Sequence, residues 1–182
     1  MKGIVFTEFL EMVEERFSLE VVDGIIERAA LPSGGSYTAV GTYPVEEMGR
    51  LVTELSAATG APVPALLHAF GKHLMTRFTQ GFPQFFADST DALGLLERVE
   101  NVIHVEVKKL YPDAELPSFE CTREGPDRVV MVYRSPRRLS DLAAGLIEGC
   151  AEHYGEALDV TRDDLSGDGQ IVRFTITRGT TA

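Results

Sequence analysis

Apolar residues recur at helical spacing through the first two thirds of the chain and in short alternating runs through the last third. Phe6, Phe9, Leu10, Val13 and Phe17 fall on one stripe with Glu8, Glu11, Glu14 and Glu15 between them, which predicts an amphipathic helix over about residues 4–18. Val21, Val22, Ile25, Ile26 and Ala29 predict a second. Between Leu31 and Tyr43 the run Pro32-Ser33-Gly34-Gly35-Ser36 marks a flexible loop. Pro44 opens a helix with Met48, Leu51, Val52 and Leu55 on one side, and Gly60 suits its end. The next begins near Pro64, carries Leu66, Leu67, Phe70, Leu74 and Phe78, and stops near Gly81.

Between residues 91 and 112 two local signals conflict. Leu93, Leu96, Val99, Ile103, Val107 and Leu110 keep a helical period, whereas residues 102–107 are rich in the β-branched types that favour a strand. The longer period decides for helix, with Ser89 or Asp91 as its cap and Pro112 as its stop. From Pro117 the texture changes. Residues 119–121 and 128–133 flank the turn Glu124-Gly125-Pro126-Asp127 and predict an antiparallel hairpin. Ser140 can cap a helix carrying Leu142, Leu146, Ile147 and Cys150, and a second hairpin turns at Ser166-Gly167-Asp168-Gly169. The expectation is one α+β domain over residues 1–182, helical first, with a four-stranded antiparallel sheet later.

Composition narrows the function more than the fold. Seventeen Lys and Arg against 28 Asp and Glu give a net charge of −11, which repels a polyanion, so no nucleic-acid partner is expected. No run approaches the ~20 apolar residues of a membrane span, and the acidic residues from Glu8 to Glu15 interrupt any signal-like start, so no membrane association and a cytoplasmic location are expected. Two cysteines, Cys121 and Cys150, are too few for a disulfide framework or a thiolate zinc site, and buried packing is the expected role of each.

No nucleophile elbow, phosphate-binding glycine loop, dinucleotide fingerprint or zinc-protease helix occurs. Of the four histidines, His68 and His73 stand about 140° apart around a helix and cannot share a metal. His153 shares a face with Cys150 but lacks further soft ligands. His104 differs through the residues C-terminal to it. One imidazole holds free zinc or iron poorly, but it suffices as the axial ligand of haem, whose macrocycle gives the other four donors. Haem propionates need compact donors, which Tyr133, Ser135 and Arg137 offer if the chain there is extended and alternates. By spacing alone, the same three residues also read as two strand-end side chains and a surface charge.

The set Tyr133-x-Ser135-x-Arg137, with His104 before Leu110-Tyr111-Pro112 and with Pro117 and Phe119 after it, resembles the H-NOX family of haem nitric oxide and oxygen binding domains, stand-alone bacterial type. The similarity runs from Met1-Lys2-Gly3 to the last strand. The resemblance implies haem b as cofactor, His104 as iron ligand, Tyr133, Ser135 and Arg137 as propionate ligands, and Pro117 as the residue that presses on the porphyrin. It implies a helical distal subdomain of about residues 1–62 and a proximal subdomain of helices and sheet over about 63–182. Oxygen-binding relatives place a tyrosine five residues after the triad arginine, and here that position is Leu142. Leu146 and, by analogy of position, Val5, Phe9, Leu74 and Phe78 extend an apolar distal pocket. Tyr154 and His73 are the polar candidates that would have to reach the iron for stable O2 binding.

The resemblance implies a sensor and not an enzyme. NO and CO bind at ferrous haem, O2 is not held stably, and the signal passes to a separate protein, a histidine kinase or a cyclic-di-GMP enzyme, through loss of the iron–His104 bond. Arg137 is expected to bridge the subdomains through an acid such as Glu46 or Glu47. The competing expectations are a haem enzyme, a peroxidase or NO dioxygenase, and an interaction module without cofactor.

Overall fold

The acidic and apolar alternation at the start of the chain folds into α1 (Gly3–Arg16), which buries Phe6, Phe9, Met12 and Val13. The helix ends one residue short of Phe17, which is left 42% exposed because Ser18 starts a new helix, accepting from the Val21 N–H at 3.4 Å. That helix is α2 (Leu19–Ala29); α3 (Val45–Thr59) and α4 (Val63–Gly81) come next. Gly60 closes α3 at φ +74°, the left-handed conformation that glycine tolerates without strain. The structure, a computed structural model, describes residues 1–179; the last three residues of the expected proximal subdomain lie outside the described residues.

The ambiguous stretch after residue 91 is helical with an interruption. Asp91, rather than Ser89, caps α5 (Ala92–Arg98), accepting from Gly94 N at 2.6 Å. A π-helical turn over Val99–Ile103 then leads into α6 (His104–Leu110). Such widened turns occur disproportionately at functional sites. Residues 102–107, whose composition favours a strand, are helical throughout: the first two close the π-helical turn and the other four lie in α6.

Strands β1 (Ser118–Arg123), β2 (Arg128–Arg134), β3 (Leu158–Asp164) and β4 (Ile171–Arg178) form one antiparallel sheet in the order β1-β2-β4-β3. Alternation along β2 and β4 turns Val129, Met131, Tyr133, Val172, Phe174 and Ile176 inward, where they meet α5 and α7 (Ser140–Tyr154). Ser140 does not cap α7 as expected; it is the helix's first residue, Leu139 occupies the cap position, and no side chain caps it.

Two cores result. One gathers α1, α2, α3 and one face of α4; the other gathers α5, α7 and the sheet, with Met75 of α4 among its buried residues. Helix α4 joins them and packs along α7. Among the described residues no helix is long and apolar enough to cross a membrane.

Candidate functional site

Between the two cores lies a cavity of about 290 Å3, near the lower end of the range for small-molecule and cofactor sites. The stripe Leu96, Val99, Ile103, Val107 and Leu110, which set the helical period of this stretch, lines the cavity, and Leu96 is at the same time part of the second core. His104 lies on the same wall with its side chain 14% exposed. Its Nδ1 is 3.0 Å from Glu100 Oε2. An ionised carboxylate only accepts, so Nδ1 carries the proton and Nε2 keeps a free lone pair. Burial holds the imidazolium below the ordinary histidine value, against the opposing pull of Glu100, and the neutral ring is the form that ligates a metal.

Tyr133 ends β2's buried series, and Ser135 comes two residues later with its N–H bonded to Gln170 O at 2.9 Å. Both side chains line the cavity, as does Arg137. The Tyr133 hydroxyl accepts from Leu139 N at 3.0 Å, and the Ser135 hydroxyl accepts from Arg137 N at 3.2 Å. Each therefore retains its own proton for a further acceptor. Arg137, 12% exposed, already grips a carboxylate: its Nη2 donates to the solvent-facing Glu115 at 2.8 Å. The expected partners Glu46 and Glu47 do not meet it. Glu47 is buried beneath the loop, accepting from Tyr37 at 2.7 Å and from Ser33, and Glu46 borders a neighbouring cleft. Two hydroxyl protons and a guanidinium that carries a carboxylate are a donor set suited to haem propionates, and a neutral Nε2 is suited to its iron.

The side built by α1, α4 and the start of α7 contributes Val5, Leu74, Phe78, Leu142 and Leu146 to the lining, and none of these side chains has an N–H or O–H. Pro117 lines the cavity just before β1. Phe9 was expected here and is not: fully buried, it meets Phe70 edge-on at 5.2 Å inside the first core. Helical phase put it on the buried face of α1 but could not distinguish core from cavity. Tyr154 and His73 are also absent from the lining; Tyr154 packs on His153, and His73 lies beside Glu8 and Glu15.

Three features were not anticipated from the sequence. Glu100, one helical turn before His104, contacts it; the i, i+4 spacing was the available signal. Gly71 and Gly145 let α4 and α7 approach so closely that a Cβ on either would fall 2.3 Å from Leu142 O or 2.0 Å from His68 O. Lys2 bridges Thr42 at 2.8 Å and Asp113 at 3.4 Å, and Thr42 donates to Asp113 at 2.7 Å, clasping the N-terminus to the segment after α6. Of the remaining expectations, His68 pairs with Glu148 at 3.0 Å, Cys150 is buried and Cys121 partly so. Among the described residues no three His, Cys, Asp or Glu side chains cluster to hold a metal ion.

Residues 2–162 match the model of the Haem-NO-binding family. The chain belongs to that family, the H-NOX domains. An H-NOX protein from K. algicida, solved with unliganded Fe(II), is 38% identical over 100% of this chain and 98% of its own, with a TM-score of 0.95. One from Shewanella woodyi, solved in the Fe(II)CO state, is 39% identical over 99% and 95% of the two chains, with a TM-score of 0.84. One from S. oneidensis, solved in the Fe(II)NO state, is 25% identical over 99% and 100%, with a TM-score of 0.92. Among curated proteins, soluble guanylate cyclase 89Db of Drosophila melanogaster is 25% identical over 94% of this chain, which spans 26% of the cyclase's length. H-NOX domains bind haem and form a family of haem-based gas sensors, and the fold read from the sequence is theirs.

Proposed function

We propose that this H-NOX chain is a cytoplasmic haem b sensor that responds to NO and CO, does not hold O2 stably, and signals to a separate histidine kinase or cyclic-di-GMP enzyme. The observation that carries the proposal is an apolar cavity lined at once by a neutral imidazole with a free Nε2 and by the Tyr133, Ser135 and Arg137 donors. Haem bound there supplies the iron that takes up NO and CO, a bond to His104 that NO weakens, and affinity for O2 that depends on a nearby hydrogen-bond donor.

The chain's own residues then have separable tasks. His104 is the iron ligand. Tyr133, Ser135 and Arg137 hold the propionates, with Arg137 exchanging or sharing its Glu115 carboxylate. Val5, Leu74, Phe78, Leu142 and Leu146 are hydrocarbon and offer no donor to O2, so gas choice rests on these five side chains. Pro117, in the segment that joins α6 to β1, would meet the ring from the cavity wall. Because α6 begins at His104, a change in what holds that side chain would act on the helix and on the segment after it, which Lys2 and Thr42 clasp through Asp113. A ligand-biased pair of states of this kind is sufficient for signalling. In this reading residues 1–62 form the distal subdomain and the rest the proximal one. A peroxidase or dioxygenase would need an acid or base on the distal side, where the five side chains named above are hydrocarbon. A cofactor-free interaction module gives no role to the cavity.

Replacing His104 with Gly and supplying imidazole tests the assignment. The variant should bind haem through the added imidazole and lose NO control of its partner; normal NO control by that protein would refute the proposed route.

A further inference from the structure

Among the described residues Glu100 is the one acidic side chain bonded to His104, and its position is unusual. It sits in the π-helical turn Val99–Ile103, where the helix is locally wide, and its Oε2 accepts twice: from His104 Nδ1 at 3.0 Å and from the backbone N–H of Phe119 at 3.0 Å. A single carboxylate oxygen therefore joins the helix that carries the imidazole to the strand β1. Phe119 lies two residues beyond Pro117, its ring is 5.7 Å from that of His104, and it is also 5.7 Å from Tyr133, its partner across the β1–β2 ladder.

We propose that Glu100 is a positioning residue that sets the strength of the His104–iron bond and thereby the readiness with which NO releases His104. The proposal rests on the haem reading above. A carboxylate that accepts the proton of a ligating imidazole draws that proton toward itself and makes the distal nitrogen more electron-rich, so the metal bond strengthens. The same contact fixes the ring's rotation. Its second bond, to Phe119 N, holds the carboxylate itself in place, so Glu100 cannot accompany a departing imidazole without loosening the start of β1. Displacement of His104 is thus opposed by two hydrogen bonds sharing one oxygen, and it is transmitted to the strand that begins beside Pro117.

The test compares wild type with Glu100→Gln and Glu100→Ala. Glutamine keeps a carbonyl oxygen for Phe119 N–H but removes the charge; alanine removes both contacts. Resonance Raman spectra of the reduced proteins report the iron–His104 stretch directly, and stopped-flow absorption after NO addition reports the rate of His104 loss. The stretch should fall in frequency in Glu100→Gln and further in Glu100→Ala, and His104 loss should quicken by roughly 10-fold, the lower end of what outer-shell substitutions at metal ligands cost. If Glu100→Ala does not fold, Glu100→Gln decides alone. Wild-type frequency and release rate in a haem-loaded Glu100→Gln overturn the proposal. A wild-type protein that shows no iron–histidine band at all instead overturns the haem reading, and this proposal with it.

Discussion

The backbone carbonyl of Leu142 rests against Gly71, so close that a Cβ on Gly71 would stand 2.3 Å from its oxygen. The contact seats the first turns of α7 on α4 and brings Leu142 and Leu146 into one lining with Leu74 and Phe78. Helix propensity alone favours Ala over Gly by about 0.8–1.0 kcal/mol. Because the obstructing atoms are backbone, Gly71→Ala and Gly145→Ala should nevertheless lose about 1–3 kcal/mol, the usual cost of overpacking. Chemical denaturation measures this, and a gain in stability in both variants would contradict the helix contact.

Leu142 also makes the gas prediction reversible. Leu142→Tyr places a phenol on the cavity lining, and its hydroxyl is a donor that Leu142, Leu146, Leu74, Phe78 and Val5 do not offer. The reduced variant should form an oxygen complex that persists in air, seen in its visible absorption. A haem-loaded Leu142→Tyr that fails to hold O2 would show that position 142 does not govern gas choice.

The helical stripes and both hairpins were legible because burial on one face imposes a period on the sequence, whereas Tyr133, Ser135 and Arg137 stood out through the family resemblance and not through strand alternation: β2 ends at Arg134 and residues 136–137 form a turn. Other features depend on three-dimensional detail that periodicity does not carry. Phe9 and Val5 lie one turn apart on α1, yet one enters the core and the other the cavity. Residues 99–103 keep an apolar helical period while their hydrogen bonds widen into a π turn. Arg137 finds Glu115 instead of Glu47, because Glu47 is engaged by Tyr37 and Ser33 from a loop that had no predicted partner.

Asp91 offers a stability prediction away from the cavity. Its carboxyl is held below the ordinary value of 3.8 chiefly by the Gly94 N–H, with Arg178 assisting. Asp91→Ala should cost about 1 kcal/mol, as loss of an N-cap does. A depressed carboxyl pKa contributes stability that is complete above the unfolded value and is lost as pH falls through the folded one. The difference between wild type and variant should therefore be constant near neutrality and shrink below pH 3.8. A difference that is unchanged in acid would remove the charged cap as its cause.

Burial pushes the Cys121 thiol up to about 11 and the Cys150 thiol up to about 12. Thiolate is the reactive form, so at pH 8 Cys121 should alkylate roughly 100-fold, and Cys150 roughly 1,000-fold, more slowly in the native protein than in denaturant. Mass spectrometry after timed iodoacetamide treatment checks this; rapid labelling of either cysteine in the folded chain would expose a reactive site that the structure does not contain.

In the proposed sensor one cavity joins a His104-ligated haem to an apolar gas side. The visible spectrum of the purified, reduced protein under argon, then air, then CO or NO tests it most directly. A strong Soret band that shifts with NO and with CO but not with air is the predicted result. A long-lived oxygen complex, or no Soret band after addition of haem, would contradict it.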